Sequence, residues 1–222
     1  MRAPVIIINF KAYAEVQGDR AVALAEACQE VYDDTGVTIA VCPPVTELSS
    51  VARAVTVPVF AQHVDAKRPG AATGYTTPEL AKAAGASGTL LNHSERRMVL
   101  ADLALAVQLC KGAGLTTCVC TDTTSTSAAA ASLDPEFIAV EPPELIGGDI
   151  SVTDANPDIV SGAVNAVRRI DDGIQVLCGA GVKNGRDVKK AIELGASGVL
   201  LASGVVKAKE PRKVLADLVQ FL

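Results

Sequence analysis

Residues 4–9 read PVIIIN, residues 88–92 read GTLLN and residues 198–202 read GVLLA. Apolar side chains at successive positions oblige both faces of such a strand to be buried. A parallel sheet covered by helices demands this, whereas an antiparallel sheet open to water alternates apolar with polar. Five more runs share the character: Val37–Cys42, Pro58–His63, Leu115–Cys120, Phe137–Glu141 and Gln175–Gly179. With Pro4–Asn9, Gly88–Asn92 and Gly198–Ala202 they make eight strand candidates. Their starts lie roughly 20 to 40 residues apart, the length of one strand–helix unit.

Between the strands lie amphipathic, Ala-rich stretches. Asp19–Asp34 presents Ala21, Leu24, Ala25, Cys28 and Val31 on one helical face. Asp102–Gly112 presents Leu105, Val107 and Leu109 and stops at a glycine. Gly185–Leu194 turns Val188, Ala191 and Ile192 inward, and Glu210–Leu222 opens with Pro211, which suits a first helical turn. The segment Thr123–Ser132 reads as a short helix capped by hydroxyls, with a mobile loop as its alternative. Eight alternating units without a linker predict one α/β domain over residues 1–222, a (β/α)8 barrel of eight parallel strands.

Composition narrows the partners. The chain has 222 residues and a net charge of −5. Lacking a basic run, it offers no footprint for nucleic acid and no attraction to an anionic membrane surface. The apolar stretch Val5–Ile8 is too short for a signal segment or a membrane span. Six cysteines form no C-x-x-C pair, and Cys42, Cys118, Cys120 and Cys178 fall inside apolar runs. Reduced, buried thiols in a cytoplasmic protein are expected. Cys118 and Cys120 would share a strand face, but only two His exist and neither is near them in sequence, so no metal site is expected.

In such a barrel the active site gathers at the carboxyl ends of the strands. Strand one ends in Asn9-Phe10-Lys11, strand four in Asn92-His93-Ser94-Glu95-Arg96-Arg97, and strand six in Glu141-Pro142-Pro143. Strands seven and eight end in Gly179-Ala180-Gly181 and Ala202-Ser203-Gly204. A cation, an imidazole, a carboxylate and two small-residue turns therefore meet on one rim. Taken singly, a glycine-rich strand exit, a turn glutamate or a surface histidine is common. Together they suit an anionic substrate: turns ahead of helices expose N–H groups to a phosphate, and a shielded carboxylate can serve as general base. His63 reads as structural.

The runs Asn9-Phe10-Lys11, Asn92–Arg97 and Val140-Glu141-Pro142-Pro143-Glu144-Leu145-Ile146-Gly147 resemble the triosephosphate isomerase family in its short, archaeal-type form. The likeness covers the chain in order, and the Asn92–Arg97 run is its most specific part. It implies Glu141 as the base, His93 as the electrophile and Lys11 as the substrate-holding cation. Asn9 and Phe10 are implied as substrate contacts, with Ile146, Gly147, Gly181, Ala202 and Ser203 gripping the phosphate. It also implies a closing lid at Pro142–Gly148, no cofactor, a triose phosphate substrate in glycolysis and gluconeogenesis, and a homo-oligomer, a tetramer or else a dimer. Ser94 onward reads as a helix start that keeps the imidazole neutral, and Glu95 as its supporting acid or a plain helix-start acid. Gly148-Asp149 stands where the family often has Thr-Gly, and Gly181 where longer members carry a serine. Tyr75 replaces an acid in the partner-reaching loop Gly70–Gly74. The alternatives are another phosphate-sugar barrel enzyme, though strand six holds no lysine for a Schiff base, or a non-catalytic phosphosugar sensor.

Overall fold

A computed structural model describes residues 1, 3–142 and 157–222. The eight strands are β1 (Val5–Asn9), β2 (Thr38–Cys42), β3 (Phe60–Ala61), β4 (Gly88–Leu91), β5 (Thr116–Thr121), β6 (Phe137–Val140), β7 (Gln175–Cys178) and β8 (Gly198–Leu201). All pair in parallel, in the order β2-β1-β8-β7-β6-β5-β4-β3. A parallel bridge between Val41 and Val59 joins the two ends and closes the barrel. Only β3 is much shorter than Pro58–His63 predicts; Pro58 has no N–H to add to a ladder.

The two-faced strands divide their side chains as the sequence demands. Val5 and Ile7 of β1 join Ala40, Cys42, Phe60, Leu90, Cys118, Cys120, Phe137, Ala139, Leu177 and Leu200 inside the barrel. Ile6, Ile8, Ile39, Val41, Leu91, Val119 and Ile138 face outward into a second core against the helices. Aromatics are few, so the interior is filled by branched aliphatics and thiols, the usual stuffing of such barrels.

The helices, among the described residues, are α1 (Asp19–Thr35), α2 (Leu48–Ala54), α3 (Pro78–Ala83), α4 (Leu100–Gly112), α5 (Thr124–Ala131), α6 (Pro157–Arg168), α7 (Gly185–Glu193), α8 (Ser203–Val206) and α9 (Pro211–Val219). The predicted face of α1 is the buried one, and Gly36 ends the helix left-handed. In α5 the hydroxyls of Thr123 and Thr126 form a reciprocal capping box, so the segment is a helix and not a loop. Two expectations fail. Leu105 of α4 is 39% exposed, because Leu103, Ala106 and Cys110 take the inner face; a helix apolar all round gives no periodicity to read. Ile192 of α7 is only half-buried, beside Val188 and Ala191. No helix among the described residues is long and apolar enough to cross a membrane.

All six cysteines are free and buried. Burial pushes the thiols of Cys28 and Cys178 from the ordinary 9.0 to about 12. Cys110 is pushed to about 12 by burial and by the Glu136 and Glu79 carboxylates. The sign follows from proton linkage. As pH rises, the unfolded chain loses these thiol protons first, so the folded state is penalised. The stability they contribute is complete below about pH 9 and falls away towards pH 12. Urea unfolding above about pH 9 should lose up to about 1.4 kcal/mol per pH unit for each such thiol. Gly198 lies against Val5 in the β1–β8 pair, where an added Cβ would collide with the Val5 carbonyl. Gly198→Ala should cost about 3 kcal/mol or more in the same measurement.

Candidate active site

Strand alternation aims the site. Val5 and Ile7 point inward, so Asn9 continues the inner row at the strand's end, as Glu141 continues Phe137 and Ala139. By the same parity Gly179 follows Leu177 and Ala202 follows Leu200. These positions border a cleft of about 590 Å³ that Lys11, Tyr13, His93, Glu95, Gly181, Lys183 and Ser203 also line.

Lys11 leaves β1 with φ 51, a left-handed conformation uncommon for residues other than glycine. Three hydrogen bonds hold it. Its N–H donates to Asn9 Oδ1 at 2.9 Å, while Gln62 Nε2 donates to the Lys11 carbonyl and to the Cys42 carbonyl, both at 2.9 Å. The ammonium reaches Glu95 Oε1 at 2.8 Å. Glu95 is 60% exposed, so this pair orients the lysine more than it stabilises the fold.

His93 and Glu141 meet across the barrel mouth. His93 Nε2 lies 3.4 Å from Glu141 Oε1, with both residues buried. The Glu95 N–H donates to His93 Nδ1 at 3.1 Å. A ring nitrogen that accepts carries no proton, so the neutral ring bears its proton on Nε2, facing the cleft. His93–Arg96 is a turn, closed by Arg96 N–H to the His93 carbonyl at 2.8 Å, and α4 begins only at Leu100. The expected helix start at Ser94 is thus corrected: a turn amide, not a helix terminus, addresses the imidazole. Among the described residues Glu141 Oε2 has no hydrogen-bond partner. An unpaired buried carboxylate oxygen costs about 1–3 kcal/mol or more. The same carboxylate, after burial itself, helps push the neighbouring Cys120 thiol up.

The two small-residue turns line the opposite wall. Gly181 has φ 68, which glycine adopts without strain. Ala202 caps the short helix α8, whose first N–H groups have no intrahelical acceptor. Lys207, just beyond α8, lies 4.3 Å above the Tyr13 ring and braces this wall against the β1 loop.

Other expected residues fall elsewhere. Phe10 is wholly buried in the strand–helix core and lines no part of the cleft with its side chain. Ile146, Gly147 and the lid segment from Pro143 to Gly148 lie outside the described residues. His63 pairs with Asp65 at 3.3 Å, and Arg96 reaches the same carboxylate oxygen at 3.3 Å. Burial and Arg96 together hold the His63 imidazole low, against the opposing pull of Asp65. Among the described residues no group of three or more His, Cys, Asp and Glu is arranged to hold a metal. The sequence reads Gly179 only as part of the phosphate turn after strand seven; the β6–β7 register sets it beside Glu141.

A closed parallel barrel bearing a carboxylate, an imidazole and an ammonium opposite amide-rich turns defines a phosphate-sugar barrel enzyme. The family model described as triosephosphate isomerase matches residues 4–222, and the chain belongs to the triosephosphate isomerase family. It is 48% identical to the triosephosphate isomerase of Methanocaldococcus jannaschii over 217 residues, 98% of this chain and 99% of that protein. It is 50% identical to that of Methanothermobacter thermautotrophicus over 97% of this chain and 94% of the relative. With that of Methanosarcina acetivorans it shares 46% over the full length of both. The activity is accordingly that of an intramolecular isomerase acting on triose phosphates.

A Cβ at Gly179 would lie 2.5 Å from Glu141 Cγ and 3.0 Å from the Val140 carbonyl oxygen. Gly179→Ala should therefore move the Glu141 carboxylate and lower kcat about 10- to 100-fold. Steady-state kinetics beside a thermal melt checks this; unchanged kcat in a folded variant would show that the carboxylate tolerates the methyl group.

Proposed function

We propose that Glu141, His93 and Lys11 carry the family's reaction, the interconversion of D-glyceraldehyde 3-phosphate and dihydroxyacetone phosphate through an enediolate. Buried Glu141, with Oε1 3.4 Å from an Nε2-protonated His93, is the observation that supports this most directly. The substrate phosphate rests on the turns at Gly181 and Ala202-Ser203, with Ile146 and Gly147 added by the family resemblance. Its carbonyl then faces His93 and Lys11. Glu141 removes the proton from the carbon next to the carbonyl, and the C–H electrons form the enediolate double bond as charge moves to oxygen. The His93 Nε2–H and the Lys11 ammonium stabilise that charge where it develops. Glu141 returns the proton to the neighbouring carbon while His93 exchanges protons with the two oxygens. Asn9 orients Lys11 and borders the substrate.

Copies of the chain associate in this reading. A second cavity, about 360 Å³, opens behind Lys11 and His93 and is lined by Val45, Gln62, His63, Asp65, Thr76 and Arg96. It suits the tip of Gly70–Gly74 from a second copy, and closing it would shield Lys11 and His93 from water. A tetramer then pairs two such dimers. The free, buried thiols suit a reducing cytoplasm.

Glu141→Asp withdraws the base by about one bond length and should lower kcat about 100-fold or more with KM nearly unchanged. Glu141→Gln should abolish conversion. A large rise in KM at wild-type kcat for Glu141→Asp would remove Glu141 from the base role. Thr73→Arg should yield monomers by light scattering and lower kcat; a monomeric variant of full activity would separate the cavity from catalysis.

A further inference from the structure

The main chain leaves β4 at Asn92 with φ 58. The β4–β5 ladder ends one position earlier, at Leu91 opposite Val119. One step on, Asn92 Nδ2 donates to the Cys120 carbonyl at 2.9 Å, and Asn92 Oδ1 accepts the Met98 N–H at 2.9 Å. We infer that Asn92 is a positioning residue for His93, its side-chain amide making the rung to β5 that the main chain gives up on turning outward.

Successive carbonyls of a strand point to opposite neighbours. The last two carbonyls of this kind on β5 are both used by the site. Cys120 O receives Asn92 on the β4 side, and Thr121 O receives the Glu141 N–H at 2.7 Å on the β6 side. The end of β5 is thus a common ruler for the residue before His93 and for Glu141. The 3.4 Å between His93 Nε2 and Glu141 Oε1 is measured across it. The second bond, to Met98, closes the turn that carries the Glu95 N–H onto His93 Nδ1. Asn92 therefore sets both where the ring stands and which nitrogen holds the proton. Glycine would accept the left-handed backbone equally well but makes neither bond. Asparagine is among the few other residues that tolerate it, and it supplies both a donor and an acceptor.

The inference rests on His93 as the electrophile, so the test includes His93→Gln. Asn92→Gly keeps the permitted backbone and removes both bonds. Asn92→Asp keeps the acceptor for Met98 but loses the donor to Cys120. Each variant is assayed for kcat and KM, and its imidazole nitrogens are read by ¹⁵N NMR. The chain has only two histidines, so His63→Gln assigns the two rings. Both Asn92 variants should fold and lose about 10- to 100-fold in kcat with KM within a few fold; Asn92→Gly should shift His93 from one tautomer to a mixture, whereas Asn92→Asp, which keeps the Met98 bond, should move the ring signals and keep the single tautomer. Wild-type kcat in either folded variant, or a fall in kcat with unmoved His93 signals, overturns the inference. Full activity in His93→Gln overturns instead the reading of His93 on which it rests.

Discussion

The alternation of a parallel strand, closed on itself, is the constraint from which the site descends. Because the barrel is filled by every second side chain, the position following the last packed layer must project over its mouth. Asn9, Glu141, Gly179 and Ala202 occupy that position on four strands. None needs a special loop to aim it. A slip of one residue in β6 would send Glu141 outward among the helices and bring Val140 to the mouth. Core packing and chemical placement are therefore one requirement, enforced by the same ladder of hydrogen bonds.

Where a side chain cannot be aimed by parity, the backbone is bent and then held. Lys11 and Asn92 both adopt left-handed conformations just past their strands, two residues after β1 and one after β4. Each is fixed by a side-chain amide that bridges two elements: Gln62 for Lys11, and Asn92 itself for the turn beyond β4. A carboxamide has both donor and acceptor and no charge, so it can replace main-chain rungs in a half-buried rim without desolvating an ion. Glu95 serves both sides of this arrangement, with its side chain on Lys11 and its N–H on His93.

The interior beneath the site is uncharged and rich in thiols. Cys42, Cys118 and Cys120 fill space as small hydrophobes, and burial keeps them protonated. Above this floor Glu141, His93 and Lys11 line the cleft. The second cavity shares Lys11, His93 and Glu95 with the first.

The barrel is legible in the chain alone. Eight runs apolar on both faces, spaced by one helix each, close into a barrel more naturally than they open into a doubly wound sheet, and their order puts Lys11, His93 and Glu141 on one rim. The buried face of α1 was equally legible, because its apolar residues recur at the helical period. The face of α4 was not, since a helix apolar all round carries no period, and Leu105 was misplaced for that reason. Distances and roles that depend on register between distant strands emerge in the folded molecule and nowhere else. The 3.4 Å from His93 to Glu141, the nearness of Gly179 to that carboxylate, and the amide bridges of Gln62 and Asn92 are of this kind. So is the turn, not helix, that fixes the His93 tautomer. Side-chain type and local period are written along the chain, whereas hydrogen bonds between strands exist only once closure has set which residue stands opposite which.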